Sequence, residues 1–434
     1  MKKYLTIIVA CLMAGTLYAQ PQIRVAGKVV DDQSGEALPS VSIYVRENQG
    51  AITNFDGDFS MQLSPDDVMR FTYVGYEKRE LRAGECPEVV RLRPMTVTMG
   101  ELTVRSGRSI LDFVVARLEK EWSRKRTQKK QGNYFYRLSS IYSKRLELAE
   151  SFIKARSAIN LRDIHFMRGL RGQFSDRGFD ISHMDSTNQH FLTELAPMTH
   201  ESDFWDGTFI PFNDERYYHK LYDSRVETLA SEDGDSIYRI QLTKNSEPSL
   251  HLPYLEGTLY VTQKKWRLLR FEGDMRDLQM KVVGGGRQYM LPIGIHVNII
   301  YKQKRRSTLV DHMTLQIKQD FITTRSILFN VDDDVKFRRL RGKSVERNML
   351  RSIDEAGYDS TLWAVSNIVL RTNEEELAAF RDSTGFMPNL ADRRLDPVLQ
   401  NVRRTLFKDE AIIPLRLVSK EALEEDEEEL MERR

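Results

Sequence analysis

Short runs of alternating polar and apolar residues, each closed by a turn signal, recur along most of this chain. Alternation with period two places successive side chains on opposite faces of an extended backbone, so such runs build half-buried strands. Ile23–Asp31, Ser40–Val45, Asp58–Leu63, Val68–Val74, Glu77–Leu81 and Val89–Arg93 form the first set. The breaks between them are Ser34-Gly35, Leu38-Pro39, Asp56-Gly57, Ser64-Pro65 and Gly84. This spacing predicts an all-β sandwich with Val41, Ile43 and Val45 on one face and Phe59 and Phe71 in its core. Asn54-Phe55-Asp56-Gly57-Asp58-Phe59 alternates carboxylates in the manner of a calcium loop but lacks the distal bidentate glutamate. A tight turn with glycine at positive φ is the preferred reading.

A second set begins after Asp235: Ser236–Leu242, Glu256–Thr262, Trp266–Asp274, Met280–Val283, Gly294–Tyr301 and Leu309–Thr324. Lys264-Lys265, Gly284-Gly285-Gly286 and Lys304-Arg305-Arg306 link them, which reads as antiparallel hairpins that close on themselves or wrap a helix. The glycine run has neither a following helix nor a Lys-Ser/Thr pair, so it is read as a hairpin turn rather than a phosphate cradle. Ser109–Lys125 carries Ile110, Phe113, Val114, Leu118 and Trp122 at helical spacing, with Ser109 as a cap. Tyr134–Tyr142 alternates as a strand.

The amino terminus is a leader. Lys2 and Lys3 precede the apolar run Tyr4–Leu17, and Ala19 stands at the expected cleavage position before Gln20. The run is shorter than the roughly 20 residues a bilayer span needs. Ile8-Val9-Ala10-Cys11 offers a competing lipoprotein reading. Cleavage after Ala19 leaves about 415 of 434 residues and Cys86 as the single cysteine, so no intrachain disulfide forms. The balance of 65 basic and 63 acidic residues argues against a nucleic-acid binder.

Four motifs in order across the first unit carry a resemblance: Gly27-Lys28-Val29-Val30-Asp31, Gly35-Glu36-Ala37-Leu38-Pro39-Ser40-Val41-Ser42-Ile43, Thr53-Asn54-Phe55-Asp56-Gly57-Asp58-Phe59 and Phe71-Thr72-Tyr73-Val74-Gly75-Tyr76-Glu77. They resemble the carboxypeptidase-like regulatory domain. That resemblance implies a transthyretin-like sandwich of the kind found at the N-termini of Bacteroidetes-type envelope proteins, including TonB-dependent outer-membrane receptors. It implies no peptidase activity. The family usually has glycine after the Leu-Pro pair, where this chain has Ser40. Asp359–Trp363, Asn367–Leu370 and Asn373–Leu377, with the helix before Tyr134, resemble envelope proteins that follow the same sandwich with an uncharacterised β-rich domain.

The expected fold is mainly β: an N-terminal transthyretin-like or Ig-like sandwich, then a larger antiparallel β domain with flanking helices (α+β). The divisions are a signal peptide at 1–19, the sandwich at 22–105 and a helical linker at 106–132. A β-rich domain follows at 133–345 with a long insertion near 170–225, then a helical region at 346–412 and an acidic tail at 413–434.

Candidate chemistry is sparse. Zinc carboxypeptidases need a His-x-x-Glu pair and a distant histidine, and none of the eight histidines has glutamate three residues on. His190 and Glu194 are one helical turn apart, with His200 and Asp203 nearby, and are read as surface polar residues. No Gly-x-Ser-x-Gly elbow is present, and Cys86 before Pro87 lacks a local base to activate it. Asp332-Asp333-Asp334 is read as a turn after a strand. No catalytic, metal or cofactor residue is assigned. An aromatic group containing Trp205, Phe209, Phe212, Tyr217 and Tyr218 is either core packing for a long loop or a recognition surface for protein or glycan. The expectation is a non-enzymatic exported protein, periplasmic or peripheral to the outer membrane, that binds an envelope protein or glycan and no nucleic acid. The alternatives are an envelope hydrolase with carboxylates from separated strands, or an accessory to TonB-dependent transport.

Overall fold

The structure, a computed structural model, describes residues 22–46, 49–98, 110–122, 131–142, 145–157, 161–171, 222–230, 236–245, 254–284, 287–304, 307–319, 322–332, 369–372 and 375. Alternation in the first unit produces two small sheets. One has order β4-β1-β7, from β1 (Ile23–Asp31), β4 (Asp58–Leu63) and β7 (Val89–Leu92). The other has order β3-β2-β5-β6, from β2 (Ser42–Arg46), β3 (Gln49–Ile52), β5 (Val68–Thr72) and β6 (Arg79–Arg82). Inward residues of both sheets meet in one core of Val29, Val41, Ile43, Phe59, Met69, Phe71, Val90 and Leu92. The Phe59 and Phe71 rings pack edge-on at 5.4 Å. Strand β3 falls outside the runs read from sequence, and Ser40 lies before β2 in a turn.

The Asn54–Asp58 segment is a tight turn. The Asn54 side-chain oxygen accepts from the amides of Asp56 and Asp58, and the Gly57 amide donates to the Asn54 carbonyl. Gly57 has φ +78°, and a Cβ there would lie 2.7 Å from the Val29 carbonyl, so glycine is required.

The second unit is an eleven-stranded sheet of order β11-β10-β9-β18-β17-β16-β15-β14-β13-β12-β8. Its strands are β8 (Thr96–Thr98), β9 (Gln131–Tyr142), β10 (Arg145–Ser157), β11 (Leu161–Arg171), β12 (Tyr222–Ala230) and β13 (Ser236–Lys244). They continue with β14 (Tyr254–Thr262), β15 (Leu268–Gly284), β16 (Arg287–Lys304), β17 (Ser307–Gln319) and β18 (Ile322–Asp332). All its pairings are antiparallel. The fold is mainly β, an Ig-like sandwich plus a larger antiparallel β unit. Strand β8, within the span expected for the sandwich, pairs with β12 and stitches the two units together.

Several readings from sequence change. The run Trp266–Asp274, from Leu268 on, and Met280–Val283 belong to one strand, β15, with a bulge between Met275 and Leu278, while Trp266 and Arg267 lie before it. Leu309–Thr324 is two strands, with Gln319 paired to Ile322 where the chain reverses. Arg145–Ser157 and Leu161–Arg171 are strands that the pattern did not reveal. Gly284 pairs with Arg287 where β15 and β16 meet, and Gly285 and Gly286 lie outside the described residues. Helix α1 (Ile110–Trp122) lies within the expected helical segment, while Ser109 lies outside the described residues. The leader, residues 172–221 and the tail at 413–434 also lie outside them.

Register divides the large sheet into two chemically different faces. Val226, Ile240, Leu259, Phe271, Ile299, Met313, Leu328 and Tyr136 pair in sequence from strand to strand, forming an apolar row. One residue along, on the opposite face, run Glu227, Arg239, Tyr260, Arg270, Ile300, His312, Phe329 and Phe135. Helix α1 buries Leu111, Val114, Val115 and Leu118, and its Phe113 stacks on Trp266, which also stacks with Tyr238. The sandwich docks on the mixed face, and Ile300 joins the sandwich core.

Candidate functional site: the seam between sandwich and sheet

Among the described residues, three buried polar knots join the sandwich to the mixed face. The first centres on Arg270 of β15. Its Nε donates to the Asn298 side-chain oxygen at 3.1 Å, its Nη1 donates to the Val74 carbonyl at 3.0 Å, and its Nη2 donates to the Tyr73 hydroxyl. Nη2 also pairs with Glu272. The guanidinium lies 3.9 Å from the Tyr73 ring centroid, a cation–π stack with little water to compete. Gly75 follows at φ +96°, and a Cβ on it would sit 3.0 Å from the Tyr260 ring. Glycine lets this turn approach the sheet. Tyr73 is fully enclosed, and burial pushes its phenol above the ordinary tyrosine range.

The second knot centres on His312 of β17, which has no exposed surface. Its Nε2 lies 2.9 Å from the Ser40 carbonyl and its Nδ1 lies 2.9 Å from Asp311 Oδ2. Asp311 also meets the Tyr44 hydroxyl at 3.4 Å and Lys302 Nζ at 3.6 Å. Burial alone would raise the Asp311 carboxyl. Contacts with His312 and Lys302 outweigh it and hold the group below the usual carboxylate range. Ser40, at the position where the resembled family has glycine, adopts φ +65° and is completely buried.

The third knot is a clip. Arg137 of β9 and Glu150 of β10 pair at 2.6 Å with both side chains buried. Residues 369–372 lie across them. Val369 forms a parallel bridge with Ile52 on the edge of the sandwich. Arg137 donates from Nη2 to the Val369 carbonyl at 2.8 Å and from Nη1 to the Leu370 carbonyl at 3.1 Å. Arg371 answers Glu150 at 2.5 Å. The Thr372 amide donates to the Glu375 carboxylate and the Glu375 amide to the Thr372 hydroxyl, a reciprocal capping box. The same carboxylate accepts from Arg137 and from Ser139. Burial would raise Glu150, but Arg371 and Arg137 bring it down to about 2.

Removing one partner from such a set leaves a buried charge or donor unpaired, at a cost of about 3–5 kcal/mol for a buried ion pair. The seam therefore defines one docking geometry.

Carboxylates from separated strands do converge beside the seam, as the hydrolase reading requires. Glu256 meets Arg276 at 3.1 Å, Asp274 meets Arg276 at 3.0 Å and His296 at 2.9 Å, and Glu272 meets Arg270. Arg276 is shared by Glu256 and Asp274 while Arg270 holds Glu272, so the group is tied together as a ladder of ion pairs. Among the described residues no three His, Cys, Asp or Glu side chains are placed to hold a metal ion. Cys86 is half-buried, and burial, offset in part by Arg79, pushes its thiol up, which suits an unreactive side chain. Asp332 ends β18. His190, Glu194, His200, Asp203, Trp205, Phe209, Phe212, Tyr217 and Tyr218 lie outside the described residues. The sequence pattern does not mark the seam as a site, although Tyr73-Val74-Gly75 lies within one of the four family-like motifs. Thr372-Asn373-Glu374-Glu375 carried the Thr-x-x-Glu signal of a helix start.

Residues 25–104 match the family described as the CarboxypepD_reg-like domain, a regulatory and non-catalytic type. The comparison with curated proteins gave no match. Among solved structures, a DUF1329 family protein from Desulfovibrio piger is similar at 11% identity and a TM-score of 0.24, over 52% of this chain and 94% of that one. A domain named for outer membrane lipoprotein sorting, from Vibrio parahaemolyticus, is similar at 11% identity and a TM-score of 0.22, over 55% of this chain and 97% of that one. No helix among the described residues is long and apolar enough to cross a membrane.

Proposed function

We propose that this chain, with its CarboxypepD_reg-like domain at residues 25–104, is a non-enzymatic protein of the cell envelope. Its leader exports it, and the sandwich serves as a fixed accessory module on a larger binding sheet. One observation carries the reading. The titratable groups gathered between the two units are committed to one another, so the fold uses its charges to hold a scaffold rather than to move protons. The partner is an envelope protein or glycan, and the aromatic residues Trp205, Phe209, Phe212, Tyr217 and Tyr218 are its proposed contact surface. Aromatic faces of this kind suit both sugar rings and apolar peptide side chains.

The test combines mass spectrometry of the exported chain with glycan-array and envelope-lysate binding. The expected results are a mature chain starting at Gln20, capture of an envelope component, and loss of that capture with Trp205→Ala and Tyr217→Ala. Stoichiometric zinc together with hydrolysis of C-terminal peptides would overturn the reading, as would a diacylated Cys11 for the processing step.

A further inference from the structure

We propose that the clip is a peptide-binding groove, and that residues 369–372 with Glu375 occupy it as an intramolecular ligand. Four observations carry this. Contact with the groove is made first through the backbone of the insert: Arg137 grips two consecutive carbonyls, those of Val369 and Leu370. Among the described residues the insert joins the sandwich through the isolated bridge of Val369 to Ile52. Its recognition side chains are few and specific, with Arg371 on Glu150 and Glu375 on Arg137 and Ser139. The groove has its own internal pairing, with Arg137 Nε donating to Glu150 Oε1 at 2.6 Å. Main-chain contacts that supply affinity, with pockets for selected side chains, are the recognised chemistry of extended-peptide binding.

The ligand class is an extended peptide with two apolar residues, then arginine, then a hydroxyl residue three positions before glutamate. In this chain the occupant is its own segment. The groove walls come from β9, β10 and the β3 edge, so an occupied groove also bridges sandwich and sheet.

Full-length protein provides the test. Arg371→Ala with Glu375→Gln weakens the insert and leaves Arg137, Ser139, Glu150 and Ile52 unchanged. The probe is a fluorescein-labelled peptide spanning Asn367–Leu377, read by fluorescence anisotropy. Tethering holds the wild-type insert at an effective concentration on the order of millimolar, so wild-type protein should take up little probe. The double variant should bind it at least tenfold more tightly. Adding Glu150→Gln, or using a probe with Arg371→Ala, should remove that gain. If the double variant does not fold, Arg371→Lys keeps the charge but loses the paired donor geometry, and it carries the same comparison. A folded variant that gains no affinity for the probe overturns the proposal. So does failure of both variants to fold, since the segment would then be part of the core.

Discussion

The Nε2 of His312 lies 2.9 Å from the carbonyl oxygen of Ser40, and the two residues belong to different units of the fold. A carbonyl only accepts, so the ring nitrogen is the donor. Ser40 presents that carbonyl because its backbone is left-handed, at φ +65°. The one position where the sandwich departs from the resembled family's glycine is thus also a point where it is fastened to the sheet.

This geometry ranks two substitutions. Ser40→Gly removes the strain of a left-handed non-glycine residue, about 1–2 kcal/mol, and loses only a long 3.4 Å contact to the Thr314 hydroxyl. Ser40→Ala loses the same contact and keeps the strain. Urea titration should find Ser40→Gly more stable than Ser40→Ala by about 1 kcal/mol. The reverse order contradicts the assigned backbone.

Arg270→Met should be among the costliest changes in the molecule. It leaves Glu272, Asn298 and the Val74 carbonyl without their shared donor. The expected loss is about 3–5 kcal/mol in chemical denaturation. A loss under about 1 kcal/mol would show that the Arg270 knot contributes little.

Glu150 makes the clip sensitive to acid. Its folded value, about 2, lies below the ordinary 4.5, so the unfolded chain binds the proton more readily. The stabilisation is complete above about pH 4.5 and is lost as pH falls toward 2, by at most about 3 kcal/mol. Arg371→Gln should flatten this part of the curve of stability against pH. An unchanged slope in that variant would place the acid sensitivity elsewhere.

Much of the sandwich was legible because its strands obey one rule. The alternation of Asp58–Leu63 is unbroken and its turns carry Gly, Pro and Asp, so its sequence bounds coincide with strand β4. Strand β15 was read as two runs because the bulge after Met275 shifts the alternation by one phase. The reversal between β17 and β18 was hidden because Asp320 and Phe321, between the paired Gln319 and Ile322, include no glycine or proline. Arg145–Ser157 is rich in Leu, Glu, Ala and Arg, which favour helix locally, and pairing with β9 and β11 overrides that preference. The seam was illegible for a different reason. Arg270 and Tyr73 are almost two hundred residues apart, and only the docking of two sheets makes them neighbours.

The sandwich core gives an independent check of register. Phe71 is fully buried, packs on Phe59 and pairs with Ile43 across the sheet. Phe71→Ala should cost about 3–5 kcal/mol. An unfolding titration showing less than about 1 kcal/mol would mean the strand is misplaced.

The central claim is that the sandwich is held on the sheet in one orientation by buried polar contacts. The most direct measurement is the distance between spin labels at Glu80 in the sandwich and Arg225 in the sheet, in a Cys86→Ser background. Both side chains are exposed and lie outside the three knots. A single narrow distance distribution is predicted, broadening when Arg270→Met or His312→Ala is introduced. A broad distribution in the otherwise unaltered protein would contradict the account.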